Sequence, residues 1–311
     1  MAGGGYMWWQ QSRNALPAGI VVANGRIEAD EIDISTKFAG RVATLLVNEG
    51  DDVKAGQVVA TMDTQDLEAS LRRAEAQVQQ AQHAIDEARA NLAQQKTQLA
   101  LAQQQLDRTS YLVGQGNATR ELLDQRRQQL DGASAAVRAA TAHVAQTEHA
   151  LEATSQEAAL YQVNIKDNTL VAPRDGRIQY RIANLGEVLP AGGKVFTMID
   201  IMSVYMDVYL ATLDAGKAKV GTEGRIVLDA YPNRPIPAKV SFLATQSQFT
   251  PKTVETKTER DRLMFRVRVR VDPELLRAHA AAVRSGLPGM AYVRLDPNAE
   301  WPARLAQVVG Q

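Results

Sequence analysis

Cysteine is absent from the chain. That removes disulfides, thiol nucleophiles, iron–sulfur clusters and Cys-ligated zinc, and leaves both reducing and oxidising compartments open. Aromatic residues make up only 5% of the sequence, which excludes extended stacking platforms for bases. Neither sign of charge is in excess: 35 Lys and Arg balance 35 Asp and Glu, and the isoelectric point is near 6.9. No global field therefore draws the chain to nucleic acid or anionic lipid. The histidines, His83, His143, His149 and His279, are dispersed without metal-ligand spacing, and in the last third Tyr209, Asp214 and Asp229 offer no paired acid/base site or recognisable triad. The residues point to a protein that is not an enzyme and takes no cofactor or metal. Nor does any run approach the roughly eighteen consecutive apolar residues of a membrane-spanning helix.

What is present is an ordinary folded composition, 45% hydrophobic and 23% charged over 311 residues, enough for about two domains. The opening MAGGGYMWW gathers Tyr6, Met7, Trp8 and Trp9 with no amphipathic period. Trp and Tyr concentrate where a spanning helix leaves the hydrocarbon, so the expectation is that numbering begins just after a removed anchor or signal. A plain disordered or tagged terminus is the alternative.

The middle of the chain is a heptad array. Leu67, Leu71, Ala74, Val78, Ala81, Ile85, Ala88, Leu92, Gln95, Leu99, Ala102 and Leu106 alternate spacings of four and three, and the residues between are strong helix formers with no Pro or Gly before Gly114. This predicts a helix of about 46 residues, about 70 Å long. A second seam runs Leu123, Arg126, Leu130, Ala133, Val137, Ala140, Val144, Thr147, Leu151, Thr154, Ala158, Tyr161 and Ile165. The turn-forming stretch from Gly114 to Thr119 between them predicts an antiparallel hairpin. With the fold-back at Gly116, facing residues have numbers summing to 232, which sets Leu67 against Ile165, Leu92 against Ala140 and Leu106 against Arg126. In that last layer Arg126 is expected to carry its charge out to water. Outside the seams, Ala69, Ala76, Ala84, Ala90 and Ala139 make a flat surface, which suits close approach of neighbouring hairpins and equally suits helix propensity alone.

The flanks repeat each other. Gly40 to Met62 lies without gaps on Gly176 to Met198 at a constant offset of 136, with nine of twenty-three positions identical. An internal duplication interrupted by the hairpin is the simplest account. Each half alternates short β-rich runs with turn glycines, and one half alone has too little core to be stable. Gly40-Arg41-Val42 and Gly50-Asp51-Asp52-Val53-Lys54-Ala55-Gly56-Gln57 resemble the biotinyl/lipoyl-like domain. Carrier versions present a modifiable lysine between the halves; here that place holds Thr64, Gln65 and Asp66, so carrier function is not expected.

A split lipoyl-like domain carrying an α-hairpin resembles the HlyD family of periplasmic adaptors, or membrane fusion proteins, of tripartite exporters. The resemblance covers about 260 residues. It implies that the hairpin tip engages a TolC-like outer-membrane channel through an R-x3-L-x6-S pattern. The chain carries this pattern as Arg108, Leu112 and Thr119, with threonine in place of serine. Beside docking, each has a plainer role: Arg108 a solvated helix-end cation, Leu112 a turn-packing residue, Thr119 the N-cap of the second helix. The resemblance also implies a homo-oligomer, a hexameric ring, located in the periplasm at the inner membrane of a Gram-negative bacterium.

The last third reads as short strands at Val204–Leu210, Arg225–Leu228, Val240–Ala244, Phe265–Val271 and Ala291–Leu295 with a helix or turn near Asp214–Val220, suiting a β-barrel domain. In Phe265–Val271 the alternation sets Arg266, Arg268 and Arg270 on one face, either as a contact for a pump or anionic head groups or as a solvated face paired with acidic neighbours. Phe249 to Thr256, including Phe249 and Lys252, together with Arg284 to Pro288 and Gly5 to Trp9, resemble the YbhG-like branch of the family. That branch implies an ABC-type inner-membrane exporter as partner; a major-facilitator-type pump, or a coiled-coil scaffold without a transport role, are the alternatives.

The expected class is thus α+β. Residues 1–19 form a membrane-proximal segment, 20–64 the first lipoyl-like half with a leading strand, and 65–166 the hairpin. Residues 167–202 form the second half, 203–297 the β-barrel domain and 298–311 a C-terminal tail. Intact-mass spectrometry should find no lipoyl or biotinyl addition; a stoichiometric adduct would restore the carrier reading.

Overall fold

The computed structural model describes residues 16–246, 263–280 and 283–308. The chain divides into two compact units, Met1–Ala60 with Leu170–Gln311, and Thr61–Thr169. In chain order the elements are β1 (Ile20–Ser35), β2 (Gly40–Leu45), β3 (Asp52–Val53), β4 (Val58–Met62), α1 (Gln65–Gly114), α2 (Arg120–Asp167), β5 (Thr169–Val171), β6 (Gly176–Arg181), β7 (Val188–Leu189), β8 (Lys194–Ala211), α3 (Thr212–Ala215), β9 (Glu223–Leu228), β10 (Ile236–Leu243), β11 (Met264–Val271), α4 (Pro273–Ala278), β12 (Pro288–Arg294) and α5 (Ala303–Ala306). No helix among the described residues is long and apolar enough to cross a membrane.

The helical unit is the expected hairpin. α1 has 50 residues, about 75 Å of helix, and α2 has 48. Every seam position named above is buried or half-buried. The deepest layers obey the fold-back arithmetic: Ala74 and Ala158, and Ala88 and Val144, are all buried. Ala69, Ala76, Ala84, Ala90 and Ala139 are exposed, as their place outside the seams requires. The Arg126 layer differs from expectation. Its side chain is half-buried, and Nη1 donates to Gln105 Oε1 at 2.9 Å and Gln129 Oε1 at 2.8 Å. Two amide oxygens hold the Nη1 end of the guanidinium within the layer, while its Nε is buried without a hydrogen-bond partner.

The duplication is visible strand by strand. β2 and β6 have bounds 136 apart, as do β3 and β7, and β4 and β8 start 136 apart. Gly50 and Gly56 have φ of 91° and 80°, and their counterparts Gly186 and Gly192 have 80° and 79°. The halves then exchange their short strands: β3 of the first pairs with β6 of the second, and β7 of the second with β2 of the first. Backbone bonds repeat the exchange. Gly50 N–H donates to Ile178 O at 2.8 Å and Gly186 N–H to Val42 O at 2.9 Å; Gly56 N–H reaches Ala172 O and Gly192 N–H reaches Thr36 O, both at 2.8 Å.

Six strands close a barrel in the order β1-β12-β9-β10-β11-β8, with β8 returning to β1. Its core includes Met206, Val208, Ile226, Val267, Val269, Ala291 and Val293, all with no exposure. The strand expected at Val204–Leu210 is part of the 18-residue β8, which begins at Lys194. The strand stays continuous because Ile199 and Ile201 join the same core cluster as Val204. The expected division between residues 202 and 203 falls inside it, where the β1–β8 register jumps between Ala29 and Glu31. The C-terminal residues read as a tail are packed: Leu305 and Trp301 lie with Ile20 and Tyr292 in a separate small core.

Two expectations for stability follow. A Cβ at Gly176 would fall on the Ile199 carbonyl oxygen and Met198 Cε, so Gly176→Ala should cost about 1–3 kcal/mol in denaturant unfolding. Asp33 accepts hydrogen bonds from Lys194 and from Thr197 Oγ1, at 2.6 and 2.7 Å. These bonds, the Lys194 one foremost, hold its carboxyl below the usual carboxylate range. A depressed folded-state value gives stability that is present above the unfolded pKa and lost as the pH falls through the folded one. Thermal unfolding measured below about pH 4 should therefore decline less steeply in Asp33→Asn than in the parent.

Candidate functional site

The tip is built by two caps. α1 ends at Gly114, and Gly116 turns the chain with φ 79°, a left-handed conformation that costs an L side chain and costs glycine little. Asn117 N–H bonds Leu112 O at 2.9 Å and Gly116 N–H bonds Val113 O at 3.0 Å, the paired bonds of a Schellman ending. Thr119 then opens α2 from an extended backbone, φ −86° and ψ 154°, its Oγ1 accepting from Leu122 N–H at 3.2 Å. The hydroxyl that the resemblance assigns to docking is thus also the cap. It uses one lone pair there, leaving its O–H and a second lone pair.

Arg108 and Thr119 are exposed and Leu112 is half-buried. Arg108 lies four residues before Leu112, so both occupy one face of α1 a turn apart. The last turn of α1 holds no basic residue, so Arg108 is not the helix-end cation of the plainer reading. Its charge is not positioned to offset the terminal carbonyls. Tyr111, 67% exposed, is a tip aromatic that sequence reasoning passed over; its place outside the heptad seam was the available signal.

The arginine row is where the alternation put it. Val267, Val269 and Val271 are buried in the barrel, while Arg266 and Arg268 are half-buried and Arg270 is exposed on the other face. The row is paired. Arg268 holds both Asp207 carboxylate oxygens, Nε at 2.8 Å and Nη2 at 3.0 Å, and stacks over the Tyr205 ring at 3.7 Å. The Asp207 hydrogen bonds push its guanidinium pKa up, and burial does the same to the Tyr205 phenol. Arg266 approaches Asp207 at 3.7 Å and the Phe242 ring at 5.4 Å; Arg270 donates to Ser203 Oγ at 2.7 Å and lies 4.0 Å from Asp30. Much of the positive charge is thereby answered within the protein. Phe249 and Lys252 lie outside the described residues.

A second basic cluster escaped the sequence reading. Arg225 and Arg294 flank the Trp301 ring at 5.2 and 5.7 Å, and both pair with Glu223. Burial lowers the Arg225 guanidinium pKa. Only the pairing of β9 with β12, which sets Arg225 near Tyr292 and Arg294, brings these groups together.

A family model described as "RND MFP, barrel-sandwich hybrid domain" matches residues 30–201, more than half of the chain. A "UPF0194 membrane protein" of Yersinia pseudotuberculosis serotype O:3 (strain YPIII) is 28% identical over 308 residues, covering 91% of each chain. One of Citrobacter koseri is 29% identical over 314 residues, covering 93% of this chain and 91% of its own. Among solved structures, MacA from Actinobacillus actinomycetemcomitans aligns with a TM-score of 0.57 at 18% identity, over 89% of this chain and 78% of its own. The membrane fusion protein Spr0693 from Streptococcus pneumoniae R6 aligns at 0.51 and 16%, over 88% and 98%. These structural likenesses carry the fold, and with the family match they agree with the lipoyl-like halves, hairpin and barrel. The chain belongs to the membrane fusion proteins, the HlyD-type adaptor family built on a barrel-sandwich hybrid domain.

Proposed function

We propose that the chain is the periplasmic adaptor of a tripartite exporter, joining an inner-membrane pump to a TolC-like outer-membrane channel as a hexameric ring. The observation that carries this reading is the hairpin tip. A helix pair with about 75 Å of α1 places Arg108, Leu112 and Thr119 at the end away from its own base. There, exposed charge and hydroxyl serve recognition better than they serve core stability. The pump is of the ABC type, on the similarity of Arg284 to Pro288 and Phe249 to Thr256 to the YbhG-like branch.

The cysteine-free sequence makes the test direct. With an inner-membrane anchor supplied, a photocrosslinker at Gln115 should give a channel-sized adduct in cells. Arg108→Asp should lower its yield about tenfold, the scale of one lost charge-assisted hydrogen bond. Adducts containing only further copies of the chain would discard the tip assignment. Co-purification with an ATP-hydrolysing exporter, rather than a proton-driven one, checks the pump class.

Thr119 separates capping from docking. Asp is as good an N-cap as Thr, so Thr119→Asp should keep the helicity and unfolding midpoint of the hairpin while reducing channel crosslinking. Thr119→Ala should cost about 0.5–2 kcal/mol of local helix stability. Equal crosslinking by Thr119→Asp and the parent would show that the hydroxyl is a cap alone.

A further inference from the structure

One end of the barrel is hollow. A cavity of about 280 Å³ is walled by one apolar side chain from each side: Ile27, Val204, Leu228, Ile236 and Val271 from β1, β8, β9, β10 and β11, and Leu287 just ahead of β12. α4 crosses it with Leu275 and Leu276. The polar groups that line it are Tyr231, Arg234, His279 and Arg284, all exposed. The lining is therefore sorted: an aliphatic interior, and a rim carrying two guanidiniums and no carboxylate.

We infer that this cavity binds a single acyl chain bearing an anionic head group. The volume lies just under the usual range of ligand pockets, about 300–1,000 Å³, and suits one short chain better than the two of a diacyl lipid. The aliphatic walls offer water no partners, so burying methylenes there is favourable. The sign of the head group follows from the rim. In a chain whose charges cancel overall, Arg234 and Arg284 make a local positive excess at the mouth. Guanidinium recognises carboxylate or phosphate with paired hydrogen bonds. The mouth is also held in place. Arg177, ion-paired to Asp52 at 2.8 Å, donates to the Ala280 and Val283 carbonyls at 3.4 Å each, tying Val283, the neighbour of Arg284, to the lipoyl-like halves. Such prior ordering lowers the entropy lost on binding.

Isothermal titration of the whole chain with decanoate, and with decyltrimethylammonium as the same tail with opposite charge, tests this. Decanoate should bind saturably and about tenfold more tightly than the cation, the worth of about one charge-assisted bond. The exposed pair Arg234→Glu/Arg284→Glu should reverse that order with the unfolding midpoint unchanged. Ile236→Trp, which fills the cavity, should weaken decanoate about tenfold. The inference is overturned by no saturable binding, by equal affinity for the two amphiphiles, or by an order that the double substitution leaves unchanged. Phosphatidylglycerol vesicles that compete with decanoate would identify a bilayer lipid as the source of the chain; vesicles that do not compete leave the free amphiphile as occupant. The Gln115 crosslink reads the channel contact separately, so either result can fail without the other.

Discussion

The exchange of β3 and β7 between the duplicated halves is the constraint on which the rest depends. Each half supplies a two-residue strand that finds its partner only on the other half, and each glycine turn places an N–H on a carbonyl across the same boundary. Two-residue strands cannot hold themselves. Neither half is therefore a folding unit, and the hairpin is inserted between two pieces that must meet. Met62 N–H and Asn168 O meet at 2.9 Å, so the chain leaves for α1 and returns from α2 at neighbouring points. That is why an insertion of such length is compatible with a small sandwich.

β1 and β8 make the sandwich and the barrel mechanically one. They pair from Gly25 with Val208 to Ser35 with Lys194, interrupted by the shift around Asp30. A bulge increases local twist and redirects a strand without cutting it. Here it lets one pair of strands run from the barrel into the sandwich within a single eight-stranded sheet. Asp30, at the shift, accepts from Ser203 and faces Arg270, so polar groups fill the place where the ladder is broken.

Much of this was written in the sequence, for physical reasons that differ by element. The hairpin was legible because a 3.5-residue period sustained over many turns has one structural solution, and a shared seam register fixes how the helices face. The duplication was legible because turn glycines and inward apolar positions are the residues a repeated backbone least tolerates changing. Strand partners were not legible. Alternation in Phe265–Val271 fixes which side chains share a face, but whether Arg268 meets water, a partner or Asp207 depends on β8, some sixty residues earlier. Trp301 hid for the same reason: Arg225 and Arg294 come to it only through the β9–β12 register. At the tip the pattern of Arg108, Leu112 and Thr119 and the capping place of Thr119 could be read; the paired bonds that end α1 and turn the chain at Gly116 showed only in the backbone.

The register of β1 with β12, Ile20 opposite Arg294, has a consequence for how the protein is made. The barrel closes by joining its first strand to its last, and both ladder partners of β1 lie beyond the hairpin. During synthesis the helices, whose contacts are local, can form early. The first strand must wait with both edges unpaired until β8 has emerged, and with one edge open until β12 follows, the condition in which strands pair wrongly with other molecules. The order of elements that lets a long hairpin grow out of a closed barrel therefore leaves the nascent chain dependent on being kept apart from its neighbours until its end arrives.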